Sequence, residues 1–183
     1  MRKMMPIGPL MIEHRAIIRM VNALETELKN IERTNQVDAP FLRQAVSFIR
    51  EFADECHHGK EEDILFSDLR GKDLPEHLAR ILDELIAEHR TGRATVAELG
   101  EAVTQYADGR LDARDKILDS LRAISRFYPA HITKEDKHFF LPVMQLFSQA
   151  ERDDMLARGH EFDSRLLHTH YLRIIEGVER RNH

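Results

Sequence analysis

Apolar residues return along this chain at alternating intervals of four and three. Leu10, Ile17, Val21, Leu24, Leu28 and Ile31 form one such stripe, with His14 in the same register, the seam that one face of a helix buries. The spacing predicts a helix from about Pro9 to Arg33. After the break TNQVDAP, a second helix is predicted from Pro40 to about Leu69, burying Ala45, Ile49, Phe52, Ala53, Cys56, His57, Glu61, Ile64 and Leu65. RGKDLP interrupts the chain, with Asp73 the expected cap and Pro75 in the first turn of the next helix. There the stripe returns as Leu78, Leu82, Leu85, His89, Gly92, Val96, Leu99 and Val103. ADGR at 107–110 is the next turn. Ile117, Leu121, Ile124, Tyr128, His131, Glu135 and His138 then form the seam of a fourth helix, which Pro129 is expected to kink just before His131. Ser148 with Glu151 reads as a capping box opening a fifth helix that carries Met155, Phe162, Leu166, Leu167, Leu172, Ile174 and Ile175.

Short loops between long helices favour antiparallel neighbours. The expected fold is all-α, one domain over 1–183: an up-down-up-down four-helix bundle over about 8–146 with an additional C-terminal helix over about 148–180. Turn positions set the relative heights. From the turn near Gln36, His14 lies 22 residues back and His57 21 forward; from Lys72, His57 lies 15 back and His89 17 forward; from Arg110, His89 and His131 each lie 21 away. At a rise of about 1.5 Å per residue these mismatches amount to roughly 3 Å or less along the axis. Four histidines therefore meet at one level of the core.

A single core histidine is usually a hydrogen-bonded structural residue, and a single Glu61 or Glu135 a solvated one. Four imidazoles and two carboxylates at one height are different, since each buried polar group left unpaired costs about 1–3 kcal/mol against a net stability of only about 5–15. Cations would neutralise them. His57 with Glu61 and His131 with Glu135 are each four apart, so each pair projects from one helical face. CHHGKEEDILF and AHITKEDKHFF repeat this layout on two helices, as expected where two carboxylates bridge a pair of metals in a bundle core. Nitrogen and oxygen donors without sulfur suit iron, manganese or zinc.

Composition removes other classes. The 183 residues carry a net charge of −5 without blocks of one sign, so neither nucleic acid nor a membrane surface is an expected partner. Cys56 is the single cysteine, which excludes an internal disulfide and fits a reducing compartment. MRKMMPIGPLMIEHR meets Pro6, Gly8 and Glu13 before any adequate apolar run, so it does not read as a signal peptide or anchor, and a cytoplasmic location is expected.

The order of these groups resembles the hemerythrin-like, or HHE cation-binding, family, whose pattern is H…HxxxE…H…HxxxE. It is met by His14 in MIEHRAI, His57 and Glu61 in CHHGKEEDILF, His89 in LIAEHRTGR, and His131 and Glu135 in AHITKEDKHFF. The resemblance spans roughly residues 8–145. It implies a non-haem pair of iron ions, with a bridging oxo or hydroxo group. His14 and His57 would serve one iron, His89 and His131 the other, and Glu61 and Glu135 both. Oxygen-carrying members have a second histidine one turn further along the third helix, where this chain has Arg93 beside Gly92, and a guanidinium cannot ligate iron. An iron-sensing relative has a ligand directly after the histidine of its second helix, which makes His58 the replacement; otherwise His58 is an outer residue. Glu62, Asp136 and His138 are expected to orient imidazoles through their free N–H groups, with ligation also open to His138 from its seam position. His77, His160, His168, His170 and His183 share no such register and read as solvated.

Three functions follow from the resemblance. One is a module that binds or senses O2 or a related small molecule such as nitric oxide. Another is an enzyme decomposing peroxide or reducing nitric oxide, which a more open iron would favour. A third is an iron-dependent regulatory domain, with a protein partner or a second copy docking through the fifth helix. Ile17, Phe52, Ile64 and Phe127 are expected as apolar walls. Arg93 would hold a bound anion or face a carboxylate. Tyr128 is expected as a packed aromatic with a satisfied hydroxyl, with proton donation or redox chemistry as alternatives.

Overall fold

The structure is a computed structural model that describes residues 5–181, and the side chains of residues 5–167. Five helical rods make up the fold: α1 (Ile7–Thr34), α2 (39–69), α3 (Glu76–Ala107), α4 (113–144) and α5 (Gln149–Arg181). No strand occurs among the described residues. The first four pack in a closed square, α1 on α2, α2 on α3, α3 on α4 and α4 back on α1, while α5 lies outside against the later half of α2. This is the expected bundle with its extra helix. None of the described helices is long and apolar enough to cross a membrane.

Local chemistry sets the rod ends. Asn35 adopts a left-handed conformation (φ 59°) and returns its N–H to the Ile31 carbonyl, ending α1. Asp38 caps α2 by accepting the Phe41 N–H at 3.0 Å. Gly109, at φ 92°, makes the turn from α3 to α4 that a side chain would strain. Ser148 and Glu151 form the reciprocal box expected of them: the Ser148 N–H bonds Glu151 at 2.8 Å and the Glu151 N–H bonds Ser148 Oγ at 3.3 Å. One cap differs from expectation. Asp73 does not cap α3; the helix starts at Glu76, and the Pro75 carbonyl accepts from Leu78 and Ala79.

The stripes are buried largely as read. All of Leu10, His14, Ile17, Val21, Leu24, Leu28 and Ile31 are core on α1. On α2 and α4, however, the helix widens into π-type turns at Ile49–His58, Glu61–Phe66 and Glu135–Phe139. There an N–H reaches five residues back, as from Gly59 to Asp54 and from Phe140 to Glu135. An extra residue per turn changes which side chains face inward. His57 and His58, adjacent in sequence, are both buried, and Phe139 and Phe140 are buried where the α-helical seam would have put His138. His138 is exposed, so both of its expected roles are corrected. α4 continues unbroken through Pro129, and the wide turn comes six residues later.

Two apolar clusters fill the bundle. One, from Ile17 to Ile31 on α1 and including Ala53, Val96, Ile124 and Tyr128, fills the end near the α1–α2 turn. The other joins Leu10, Ile64, Phe66, Leu85, Phe139 and Phe140 to Met155 of α5. His14, His57, His58, Glu61, His89, His131 and Glu135 form the polar layer between them, each 2 % exposed or less. α5 approaches closely at Gly59, where a Cβ would come within 2.7 Å of the Phe162 ring. His77 and His160 are exposed as expected. His168, His170, His183, Leu172, Ile174 and Ile175 lie outside the described side chains.

At the start of α5, Lys72 at 2.7 Å and the Ser148 N–H hold the exposed Glu151 carboxyl at a pKa of about 2, below its ordinary 4.5. A carboxyl depressed on folding contributes stability that is present above its unfolded pKa and lost as pH falls toward the folded one. Glu151→Gln should therefore lower the melting temperature slightly at neutral pH, and the difference from wild type should shrink as pH falls below about 4.5, as followed by circular-dichroism melts.

Candidate metal centre

The five imidazoles buried among the described residues are arranged alike. Each turns Nδ1 outward to a carboxylate: His14 to Asp136 (2.9 Å), His57 to Glu13 (2.9 Å), His58 to Asp54 (3.0 Å), His89 to Glu62 (2.7 Å) and His131 to Glu88 (2.9 Å). An ionised carboxylate can only accept, so Nδ1 carries a proton in every case and Nε2 is the nitrogen turned toward the centre, a ligand once its own proton is displaced. Four of the carboxylates form a closed circuit around the square. Glu13 of α1 serves α2, Glu62 of α2 serves α3, Glu88 of α3 serves α4, and Asp136 of α4 serves α1. Each is the sequence neighbour of an inward group, His14, Glu61, His89 or Glu135. Successive residues diverge by about 100° around a helix, so one enters the core while the next reaches the adjoining rod. Asp54 stands apart, holding His58 from one turn earlier on α2 itself.

Glu62 and Asp136 occupy the orienting positions read from the sequence. Glu13, Asp54 and Glu88 were not anticipated; the signal that could have found Glu13 and Glu88 is an acid directly preceding a core histidine. Outside this circuit stand cations. Arg93 bonds Glu62 at 2.7 Å, Lys134 bonds Glu88 at 2.6 Å, and Lys60 pairs with Glu13. Arg93 thus faces a carboxylate, not the interior.

Inside, the ring nitrogens and the two inner carboxylates fall into two groups. Donor atoms of His14, His57, Glu61 and Glu135 lie within 4.8 Å of one another, and so do those of His58, His89 and His131. The structure therefore brings together all seven sequence-predicted residues, with His58 beside His89 (ring centroids 4.0 Å) and in the group that lacks a nitrogen at Arg93. Glu135 turns Oε2 to His14 Nε2 at 3.1 Å and Oε1 to His131 at 3.2 Å. Glu61 turns Oε1 to His57 at 3.5 Å and Oε2 to His89 at 3.3 Å. Each carboxylate thus presents one oxygen to each group.

These contacts are close without being aligned hydrogen bonds. Nε2 of His14, His89 and His131 and all four oxygens of Glu61 and Glu135 are buried with no hydrogen-bond partner. Burial opposes charging His14, yet Asp136 and Glu135 outweigh it and push its pKa up to about 10; His89 reaches about 11 against the same burial, through Glu135, Glu61 and Glu62. Burial likewise opposes ionising Glu135, but His131, His14 and His89 hold it well below the carboxylate range. The cluster demands positive charge, and metal ions with nitrogen and oxygen ligands supply it. His58 is the exception: burial and the imidazoles of His89, His57 and His131 keep it neutral, the form that ligates.

Aromatic rings seal the layer. Phe140 stacks on His14 (5.7 Å, 5°), Phe66 on His89 (5.7 Å, 18°) and Phe127 on His131 (5.3 Å, 16°). Of the expected walls, Ile17 and Ile64 are buried; Phe127 is half-buried and in place, whereas Phe52 stacks on Phe48 instead. Tyr128 is packed in the core, but its hydroxyl lacks the expected partner, and burial pushes its pKa upward. Cys56 points to α5, donating to Asp163 at 3.4 Å, with burial raising its pKa to about 12. Near it, Glu13, Cys56 and Asp163 also gather, but the Lys60 ammonium already sits between the two carboxylates.

The profile of the hemerythrin HHE cation-binding domain matches residues 5–142, so the chain belongs to that cation-binding family. It is also 28 % identical over 148 residues to "Uncharacterized protein Rv1995" of Mycobacterium tuberculosis strain H37Rv. The same identity holds for "Uncharacterized protein Mb2018" of Mycobacterium bovis. In both matches 80 % of this chain is covered but 56 % of the relative, so the chain spans little more than half the length of these proteins.

Gly92 leaves the space that Phe127 fills: a Cβ there would lie 2.9 Å from its ring. Gly92→Ala should therefore destabilise by about 1–3 kcal/mol through overpacking, offsetting any gain in helix propensity. Urea unfolding measures it, and Gly92→Ala combined with Phe127→Leu should recover much of the loss.

Proposed function

We propose that this chain holds two iron ions, with His14 and His57 on one, His58, His89 and His131 on the other, and Glu61 and Glu135 shared. The protein then binds or senses O2 or a related small molecule. The observation that carries this reading is the splay of the two inner carboxylates, each with one oxygen toward either histidine group. Family membership supports a cation, and the donor set suits iron, with manganese or zinc accepted by the same atoms. A pair of irons held there supplies one-electron exchange with O2, peroxide or nitric oxide.

The surrounding side chains favour binding over turnover. Phe66, Phe127 and Phe140 cover the imidazoles and limit water, and each Nδ1 proton is tied to a carboxylate. Tyr128, its hydroxyl buried without a partner and its pKa pushed upward by burial, is a poor acid and a poor source of protons. The enzyme alternative drew on a nitrogen missing at Arg93. His58 lies in the same group as His89 and His131, which supports a filled count there and weighs against a more open iron.

Metal analysis of the purified chain should find about two irons per protein, as in paired-metal bundles. His58→Ala should reduce the content toward one. Glu135→Ala should lower it more severely, and chelation should lower the melting temperature because metal binds only the folded chain. Normal iron loading in both variants would contradict the ligand assignment. After anaerobic reduction, addition of O2 should give a visible absorption band that reverses on O2 removal; rapid irreversible bleaching or consumption of added peroxide would favour catalysis instead.

A further inference from the structure

One link to the centre comes from outside the four-helix square. Lys60 is buried, and its ammonium is shared between Glu13 of α1 and Asp163 of α5, the latter at 2.7 Å. Lys60 meets Oε1 of Glu13, while Oε2 of the same carboxylate accepts the Nδ1 proton of His57 at 2.9 Å. Asp163, Lys60, Glu13 and His57 thus form a continuous chain of alternating charge from α5 to an inward-facing imidazole. Lys60 belongs to α2, Arg93 to α3 and Lys134 to α4, all within the square, but Arg93 pairs with Glu62 and Lys134 with Glu84 and Glu88, acids of the square, whereas Lys60 is shared with Asp163 outside it.

We propose that Asp163 is a positioning residue for the metal centre: acting through Lys60 and Glu13, it sets the donor strength of His57, so that docking of α5 tunes the half served by His14 and His57. This rests on the metal reading above. An ammonium shared by two carboxylates neutralises each only in part, so Glu13 keeps the charge with which it holds the His57 proton. That hydrogen bond pushes electron density toward Nε2 and strengthens it as a ligand. Without the Asp163 charge, Lys60 turns wholly to Glu13, the acceptor weakens, and Nε2 becomes a poorer donor. Other contacts keep α5 in place independently: Phe162 against Gly59, Met155 in the apolar core, and Arg158 paired with Asp68.

The test compares Asp163→Asn, Asp163→Glu and Arg158→Ala in the full chain with two readouts: the imidazole 15N resonances of the metal-free protein, and iron affinity by competition with a chromophoric chelator. Asp163→Asn is expected to move the His57 Nδ1 resonance and weaken one of the two metals about 3- to 10-fold, less than the roughly 10–100-fold that loss of a direct carboxylate partner brings. Asp163→Glu should restore both, and Arg158→Ala, which breaks only the other ion pair of α5 with α2, should change neither. An unmoved His57 resonance in Asp163→Asn, or an equal movement in Arg158→Ala, overturns the proposal. If wild type takes up no metal but the His57 resonance still responds to Asp163→Asn alone, the metal reading fails and the relay stands.

Discussion

The structure depends on placing two carboxylates, Glu61 and Glu135, with no solvent exposure in a layer between two apolar clusters. Nothing among the described residues gives their four oxygens an aligned hydrogen bond. Uncompensated buried charge of this kind costs several kcal/mol per ion after relaxation, comparable with the whole stability of a domain. Everything around the layer answers that demand: imidazoles on all four rods of the square, each with Nε2 inward, and rings of Phe66, Phe127 and Phe140 keeping the dielectric low. The low dielectric raises the penalty for an unfilled cluster and also strengthens its attraction for a cation.

The outer carboxylates link this chemistry to the packing of the rods. Because Glu13, Glu62, Glu88 and Asp136 each serve the neighbouring helix, the orientation of every imidazole in the circuit is set by a rod other than its own. A helix sliding by a single turn would break two links, one given and one received. His58 is exempt, since Asp54 lies on its own rod. Its place beside His89 and His131 is therefore set within α2 and does not depend on a neighbouring rod.

Much of this was legible in the sequence because it follows from helical periodicity. Stripes such as Leu10 to Ile31 identify the buried faces, equal loop offsets bring His14, His57, His89 and His131 to one height, and Glu61 and Glu135 follow from the spacing of four. The misreadings have two physical sources. The seam that placed His138 inward assumes 3.6 residues per turn, whereas the wide turn at Glu135–Phe139 substitutes Phe139 and Phe140; no residue type announces such a turn. Glu13 and Glu88 resemble ordinary solvent-facing helix acids, and only the proximity of another rod gives them their role, while Asp54 gains its role from the wide turn that buries His58 on the same rod. The family profile over residues 5–142 identifies the cation-binding class, while the circuit of acids emerges only in three dimensions.

The circuit closes between His14 and Asp136, 122 residues apart. During synthesis, a chain emerging from the ribosome therefore exposes the amino-terminal histidine long before the acid that orients it has been made. Until the last rod of the square appears, His131 and Glu135 are absent as well, so the nascent chain offers only loose, mobile chelating groups. Both donor groups are thus complete only once the last rod of the square has joined the other three.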